Sequence, residues 1–132
     1  MNIFDPIRKK NVAATPEEVV RQQFLQYLHT QKAVPLSLMQ VEKSLKINTT
    51  QKRYDIVVCN PQGQPRLLVE CKAGNVPLSN KVFEQAAGYN LALSAPYLAI
   101  TNGVQTYCCR LNFETRAITF LADLPWFSEL VA

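Results

Sequence analysis

Two hydrophobic periods divide the chain. From Val20 to Leu28 apolar residues recur every four positions, at Val20, Phe24 and Leu28 with Tyr27 beside them, the stripe of an amphipathic helix. The segment before it supplies a start signal. Thr15 suits the N-cap, Pro16 the first helical position and Glu18 the third position of a capping box. A helix is therefore predicted from Thr15 to about Thr30. Pro35 ends that period. Apolar positions at Leu38, Val41, Leu45 and Ile47 predict a strand, Asn48-Thr49-Thr50-Gln51 a turn, and Lys52 to Cys59 a second strand. Asn60-Pro61-Gln62-Gly63-Gln64-Pro65 has the composition of a hairpin loop. Arg66 to Lys72 returns as a third strand rich in branched aliphatics.

A second helical stretch starts at Ser79 or Asn80 and runs to about Ser94, lined by Val82, Phe83, Ala86, Ala87, Asn90 and Leu93. Gln85 and Tyr89 are four apart and share one of its sides. Tyr97 to Thr101 is a continuous apolar run, as in a buried strand. Asn102-Gly103 is the strongest hairpin signal in the chain and leads into Val104 to Leu111. Ala117 to Leu121 adds an edge strand, and Pro125-Trp126-Phe127 opens a short helix or turn that closes over the core. Residues 1–14 show no period. The expectation is one α/β domain over residues 1–132: a lead-in at 1–14, a core of αβββαβ order at about 15–121 and a C-terminal cap at 122–132. Its sheet is mixed, with four to five strands flanked by helices.

Composition narrows the chemistry. A chain of 132 residues, 48% hydrophobic and 18% charged, can bury a core without staples. The net charge of +4 suits a polyanionic partner without requiring one. None of the four cysteines forms a C-x-x-C pair, and the single histidine, His29, cannot complete a zinc site. The cysteines read as reduced thiols of a cytoplasmic protein. Met1 to Pro6 does not read as a signal peptide, and no run reaches the roughly 18 apolar residues of a membrane span. There is no G-x-x-x-x-G-K phosphate loop, so no nucleotide is expected, and no G-x-S-x-G elbow.

The remaining chemistry gathers at Glu70-Cys71-Lys72. Side chains of a strand alternate, so Glu70 and Lys72 share one face while Leu67, Val69 and Cys71 take the other. By itself this is an ion pair at a strand end. The hairpin adds a partner. With its turn centred on Gln62-Gly63, Asn60 faces Pro65 and Asp55 faces Glu70, their Cβ atoms roughly 5 Å apart. Two opposed acids destabilise a sheet unless a positive charge sits between them: a hard divalent cation, or a base such as Arg53 or Lys72. Glu17, three residues before Val20, falls on the inward face of the first helix, and Glu18 is turned roughly 100° away. Glu17 reads equally as an acid placed for the helix dipole. A rotation of the helix end would make Glu18 the inward acid. Arg8-Lys9-Lys10 is either a solvated cluster or a phosphate-contacting arm, with Lys52 and Arg53 as further basic contacts.

The ordered set resembles the PD-(D/E)XK nuclease superfamily, with Asp55 as its acid and Glu70-Cys71-Lys72 as its E-x-K. Thr-Pro-Glu-Glu-Val-Val-Arg-Gln at 15–22, Arg-Tyr-Asp-Ile-Val-Val at 53–58, Leu-Val-Glu-Cys-Lys-Ala at 68–73 and Tyr-Leu-Ala-Ile-Thr-Asn-Gly at 97–103 resemble the N-terminal nuclease domain of type I restriction enzyme R subunits. Gln85-x-x-x-Tyr89 is similar to the Q-x-x-x-Y motif of RecB-like nucleases. The resemblance implies a restriction-endonuclease-like fold and a Mg2+-dependent DNA endonuclease, with Mn2+ able to substitute. It implies Asp55, Glu70 and the Cys71 carbonyl as ligands, Glu17 as a further one, Lys72 as the charge beside the reacting phosphate, and Gln85 and Tyr89 as orienting groups. DNA is the implied substrate, with a second copy or a separate recognition subunit as partner. Two departures stand out: Tyr54 precedes Asp55 where proline is common, and the ATP-driven motor of R subunits has no counterpart here. A nuclease-fold module that binds without cutting is the alternative.

Overall fold

Residues 1–14 are not an irregular lead-in. In the computed structural model, which describes residues 1–47 and 50–132, strand β1 (Asn2–Asp5) pairs antiparallel with β2 (Lys10–Ala13) as a separate two-stranded sheet. The turn is held by a polar side chain rather than by an apolar period. Buried Asp5 accepts from the Ile7 amide at 2.7 Å and the Arg8 amide at 3.1 Å, and pairs with the Arg8 guanidinium. Periodicity cannot register such a device, so the hairpin was invisible to it.

Helix α1 (Pro16–Gln31) begins where its sequence predicts, with Thr15 Oγ1 accepting from the Glu18 amide at 3.2 Å. Only half of the capping box forms, because the Thr15 amide donates to the Ala13 carbonyl and the Glu18 carboxylate turns elsewhere. A 3-10 turn at Leu36–Leu38 leads into β3 (Met39–Ile47), then β4 (Thr50–Cys59) and β5 (Pro65–Cys71). Of the predicted turn at 48–51, Asn48 and Thr49 lie outside the described residues and Thr50-Gln51 already belong to β4. Helix α2 (Asn80–Leu93) is capped by Ser79, whose Oγ accepts from the Val82 amide at 3.3 Å. Fully buried Asn90 closes its far end, bonding both the amide and the carbonyl of Ala95 and so aiming the chain into β6 (Tyr97–Thr101). Strands β7 (Thr106–Leu111) and β8 (Ile118–Leu121) and the short helix α3 (Phe127–Leu130) complete the chain.

The main sheet has six strands in the order β3-β4-β5-β6-β7-β8, one more than the upper expectation, because both late strands add beyond β6. Only β5 and β6 run parallel. Helix α2 is their crossover. Residues alternate between the two faces. Leu67, Val69 and Cys71 lie under α1 with Phe24, Leu25 and Leu28, while Leu68 and Leu98 lie under α2 with Ala86 and Leu93. Leu25 and Leu28 are fully buried, and each contributes about 1.5–3 kcal/mol of apolar burial. Leu124 and Leu130 return the C-terminus to the α1 side, where the Phe127 amide donates to the Lys32 carbonyl at 2.9 Å. Phe127 packs on that core, whereas Trp126 stays exposed with the Lys32 ammonium over its ring.

The β4–β5 register decides where the acids meet. Ile56, Val57 and Val58 face Val69, Leu68 and Leu67, the pairing that sets Asp55 toward Glu70. Near the turn the expected Asn60–Pro65 pairing is not formed. Asn60 bonds Gln64 instead, Cys59 faces Pro65, and a bulge beside Val58 restores the register inward.

Candidate functional site

The chemistry collects where the parallel strands β5 and β6 end. Strand β4 leaves the β5 ladder at Asp55: Ile56 is its last paired residue, and opposite Asp55 on β3 Glu42 takes a left-handed φ of 53°. The side-chain alternation also breaks here. Tyr54 packs under α2, yet Ile56, two residues on, packs under α1. Asp55 is thus released from the sheet and can be held by other groups.

Both its oxygens are taken. Oδ2 accepts from the Cys71 amide at 2.8 Å, and Oδ1 accepts from Arg21 Nη2 at 2.9 Å. The base opposite Asp55 is Arg21, not Arg53 or Lys72. Arg21 also donates to Glu18 at 2.9 Å, and Glu18 in turn accepts from Arg8 at 2.5 Å and from Gln22 at 3.3 Å. Arg8 reaches Glu42 at 3.2 Å. Burial pushes the Glu18 and Asp5 carboxyls up, but Arg8 outweighs it in both, with help from Arg21 at Glu18, and holds them below the usual range.

Glu70 is built in the opposite way. Its residue is 7% exposed, and Oε1 is buried with no hydrogen-bond partner among the described residues. Burial, and then the Asp55 charge, push its carboxyl up to about 8, with Lys72 and Lys52 offsetting part of the rise. Lys72 lies just beyond β5, half-buried, its amide donating to the Thr101 carbonyl at 2.8 Å. Glu17 stands at the mouth. Burial and the neighbouring Asp55 raise its carboxyl, and Arg21 offsets them in part.

Several sequence expectations are corrected. The helix start is turned so that Glu18 is buried and the Glu17 side chain is 49% exposed. Glu18 nevertheless faces the bases Arg8 and Arg21, which hold its carboxylate. Arg8 is bound into an internal ion network, so it is not a free phosphate contact, whereas Lys9, Lys10 and Arg53 are exposed. Gln85 is exposed on α2 and hydrogen-bonds to none of the acids or to Lys72 among the described residues. Tyr89 is closer to the centre: its carbonyl accepts from Tyr54 Oη at 2.8 Å, and Lys52 Nζ lies 3.2 Å above its ring. Arg21, which sequence reasoning missed, had a signal. It stands three residues after Glu18, the spacing at which an acid and a base are neighbours on a helix, although nothing local sets it inward.

With that geometry in place, comparison with known proteins is informative. Residues 16–125 match the profile of the family described as type I restriction enzyme R protein N terminus. The chain belongs to this family. A fragment structure assigned to an HsdR subunit of a type I restriction enzyme from Vibrio vulnificus superposes with a TM-score of 0.60 at 18% identity, covering 98% of this chain. The chain spans 25% of that fragment's length. No curated protein matches. As an R-subunit N-terminal domain, the chain is an α/β unit with a six-stranded mixed sheet, and no described helix is long and apolar enough to cross a membrane.

The residues fit a hard cation. The Asp55 and Glu70 carboxylates interact, and Glu70 Oε1 is buried without a partner among the described residues. Among the described residues no group of three or more His, Cys, Asp and Glu side chains is laid out for a metal.

Proposed function

We propose that the chain is a Mg2+-dependent DNA endonuclease domain with the restriction-endonuclease-like fold of the PD-(D/E)XK superfamily. The observation that carries this reading is Glu70: a carboxylate held in apolar surroundings against a second carboxylate, one oxygen unpartnered, with an ammonium beside it. A sheet does not retain that arrangement for stability. Asp55, Glu70 and the Cys71 carbonyl would hold Mg2+ or Mn2+, with Glu17 reaching it directly or through water. When bound, the ion polarises a phosphate and lowers the pKa of a coordinated water.

The chain's own residues supply the rest. Arg21 and the Cys71 amide fix Asp55. Lys72, free of side-chain ion pairs among the described residues, is placed to meet a phosphate oxygen or orient the attacking water, and to offset the negative charge that develops. Tyr89 keeps Lys52 near the site. Gln85, exposed on α2, is left to contact substrate. Lys9, Lys10, Lys52 and Arg53 provide positive charge toward the DNA backbone. The family supports a role beside other subunits of a type I restriction enzyme; a homodimer is the alternative. The four free, buried thiols suit a cytoplasmic setting.

A plasmid-nicking assay tests the reading. Cleavage is expected with Mg2+ or Mn2+ and not with a chelator, and Glu70→Ala and Lys72→Ala should lose about 100-fold or more of it. Cleavage undiminished in both variants overturns the site. Binding without cleavage on duplex, single-stranded and branched DNA would leave the non-cutting module in its place.

A further inference from the structure

We propose that Arg21 is a positioning residue for the Asp55 carboxylate, and that its guanidinium fills the place a second ion would take, so that the site holds one divalent cation per chain. The ion count rests on the metal reading above; the positioning role does not.

Arg21 is buried in α1, its side chain 7% exposed, and faces four acids. It lies 2.9 Å from Asp55 and from Glu18, 3.7 Å from Glu42 and 3.9 Å from Glu17. Its Nε is buried without a partner among the described residues. The guanidinium is therefore placed for the acids around it at the expense of one of its own donors, which is costly in a dry site. Glu18 anchors it. Glu18 Oε1 accepts from both Arg8 and Arg21 and Oε2 from Gln22, so Glu18 holds the guanidinium and its charge is already matched by two bases.

The consequence falls on Asp55. One oxygen is tied to α1 through Arg21 and the other to β5 through the Cys71 amide. The carboxylate is locked from two elements, and what it offers is its remaining lone pairs beside Glu70. Between the helix acids and the sheet acids the positive charge already present is Arg21. A second metal there would displace a planar fork that bonds two carboxylates.

Amide exchange tests the positioning role without any metal. In Arg21→Gln the Cys71 amide should exchange about tenfold faster or more, because its acceptor is released, while Val69 one pair inward stays unchanged. Arg21→Lys keeps the charge, loses the fork and should show a smaller acceleration confined to Cys71; it carries the test if Arg21→Gln does not fold. Unchanged Cys71 protection in a folded variant overturns the role. Mn2+ binding followed by electron paramagnetic resonance tests the count. One ion per wild-type chain and a second, weaker ion in Arg21→Gln are expected. Two ions in the wild type, or still one in Arg21→Gln, overturn the place-filling claim. No Mn2+ binding in the wild type overturns the metal reading and with it the count, while the exchange result still judges Arg21.

Discussion

Two groups of buried charge share Asp55 and are built on different plans. On the α1 side, Arg8 and Arg21 face Asp5, Glu18, Glu42 and Asp55, and the buried acids there are held by a guanidinium. On the other side of Asp55, Glu70 has an orphaned oxygen, and Lys72 carries no ion pair among the described residues. The first group ties the hairpin β1–β2, helix α1 and strands β3 and β4 into one network. The second makes no such tie. Acids whose oxygens are held by guanidinium groups resist removal of their partners, whereas a buried carboxylate oxygen left without a partner costs the fold and is kept for something else. The contrast assigns holding to one group and chemistry to the other.

The largest expected break of that contrast is in activity. Lys72→Ala should lower cleavage by about 100- to 10,000-fold while leaving unfolding free energy within about 0.5 kcal/mol, measured by plasmid nicking beside urea titration. In the guanidinium-held group the effects reverse into stability. Arg8→Gln strands fully buried Asp5 and part of Glu18, and should cost about 3 kcal/mol in urea unfolding.

The third effect is one of pH. The Glu70 carboxyl sits at about 8, above its ordinary value, so the fold favours its protonated form. That stability is present below pH of roughly 4.5 and is lost as pH rises through about 8. Asp5 and Glu18 are lowered, so their contribution appears above their ordinary range and is lost on acidification. The metal-free protein should therefore weaken on both sides of a maximum. Glu70→Gln should remove the alkaline fall, raising stability at pH 8 by an amount on the order of 2 kcal/mol with little change at pH 5. The smallest effect belongs to a pair whose acid is exposed. Lys32 and Asp123 lie 3.1 Å apart, but the Asp123 side chain is 73% exposed, and Asp123→Ala should leave the urea midpoint unchanged.

Much of this was legible from the residues. The strand period placed Cys71 inward and Glu70 with Lys72 on the other face, and the hairpin composition set Asp55 toward Glu70 even though the turn pairs one residue differently. What the sequence could not show was built from polar contacts across distant elements. The hairpin β1–β2 is held by the Asp5 side chain, which carries no apolar period. Arg21 is inward because Asp55, thirty-four residues away, needs a donor. The choice between Glu17 and Glu18 turned on Arg8, whose place beyond the helix no local rule predicts.

The most direct measurement of the central claim is anomalous diffraction from a crystal of this chain soaked in Mn2+. One anomalous peak is expected between the Asp55 and Glu70 carboxylates, with Arg21 still bonded to Asp55. No peak there, or an ion held elsewhere with Glu70 unmoved, would contradict it.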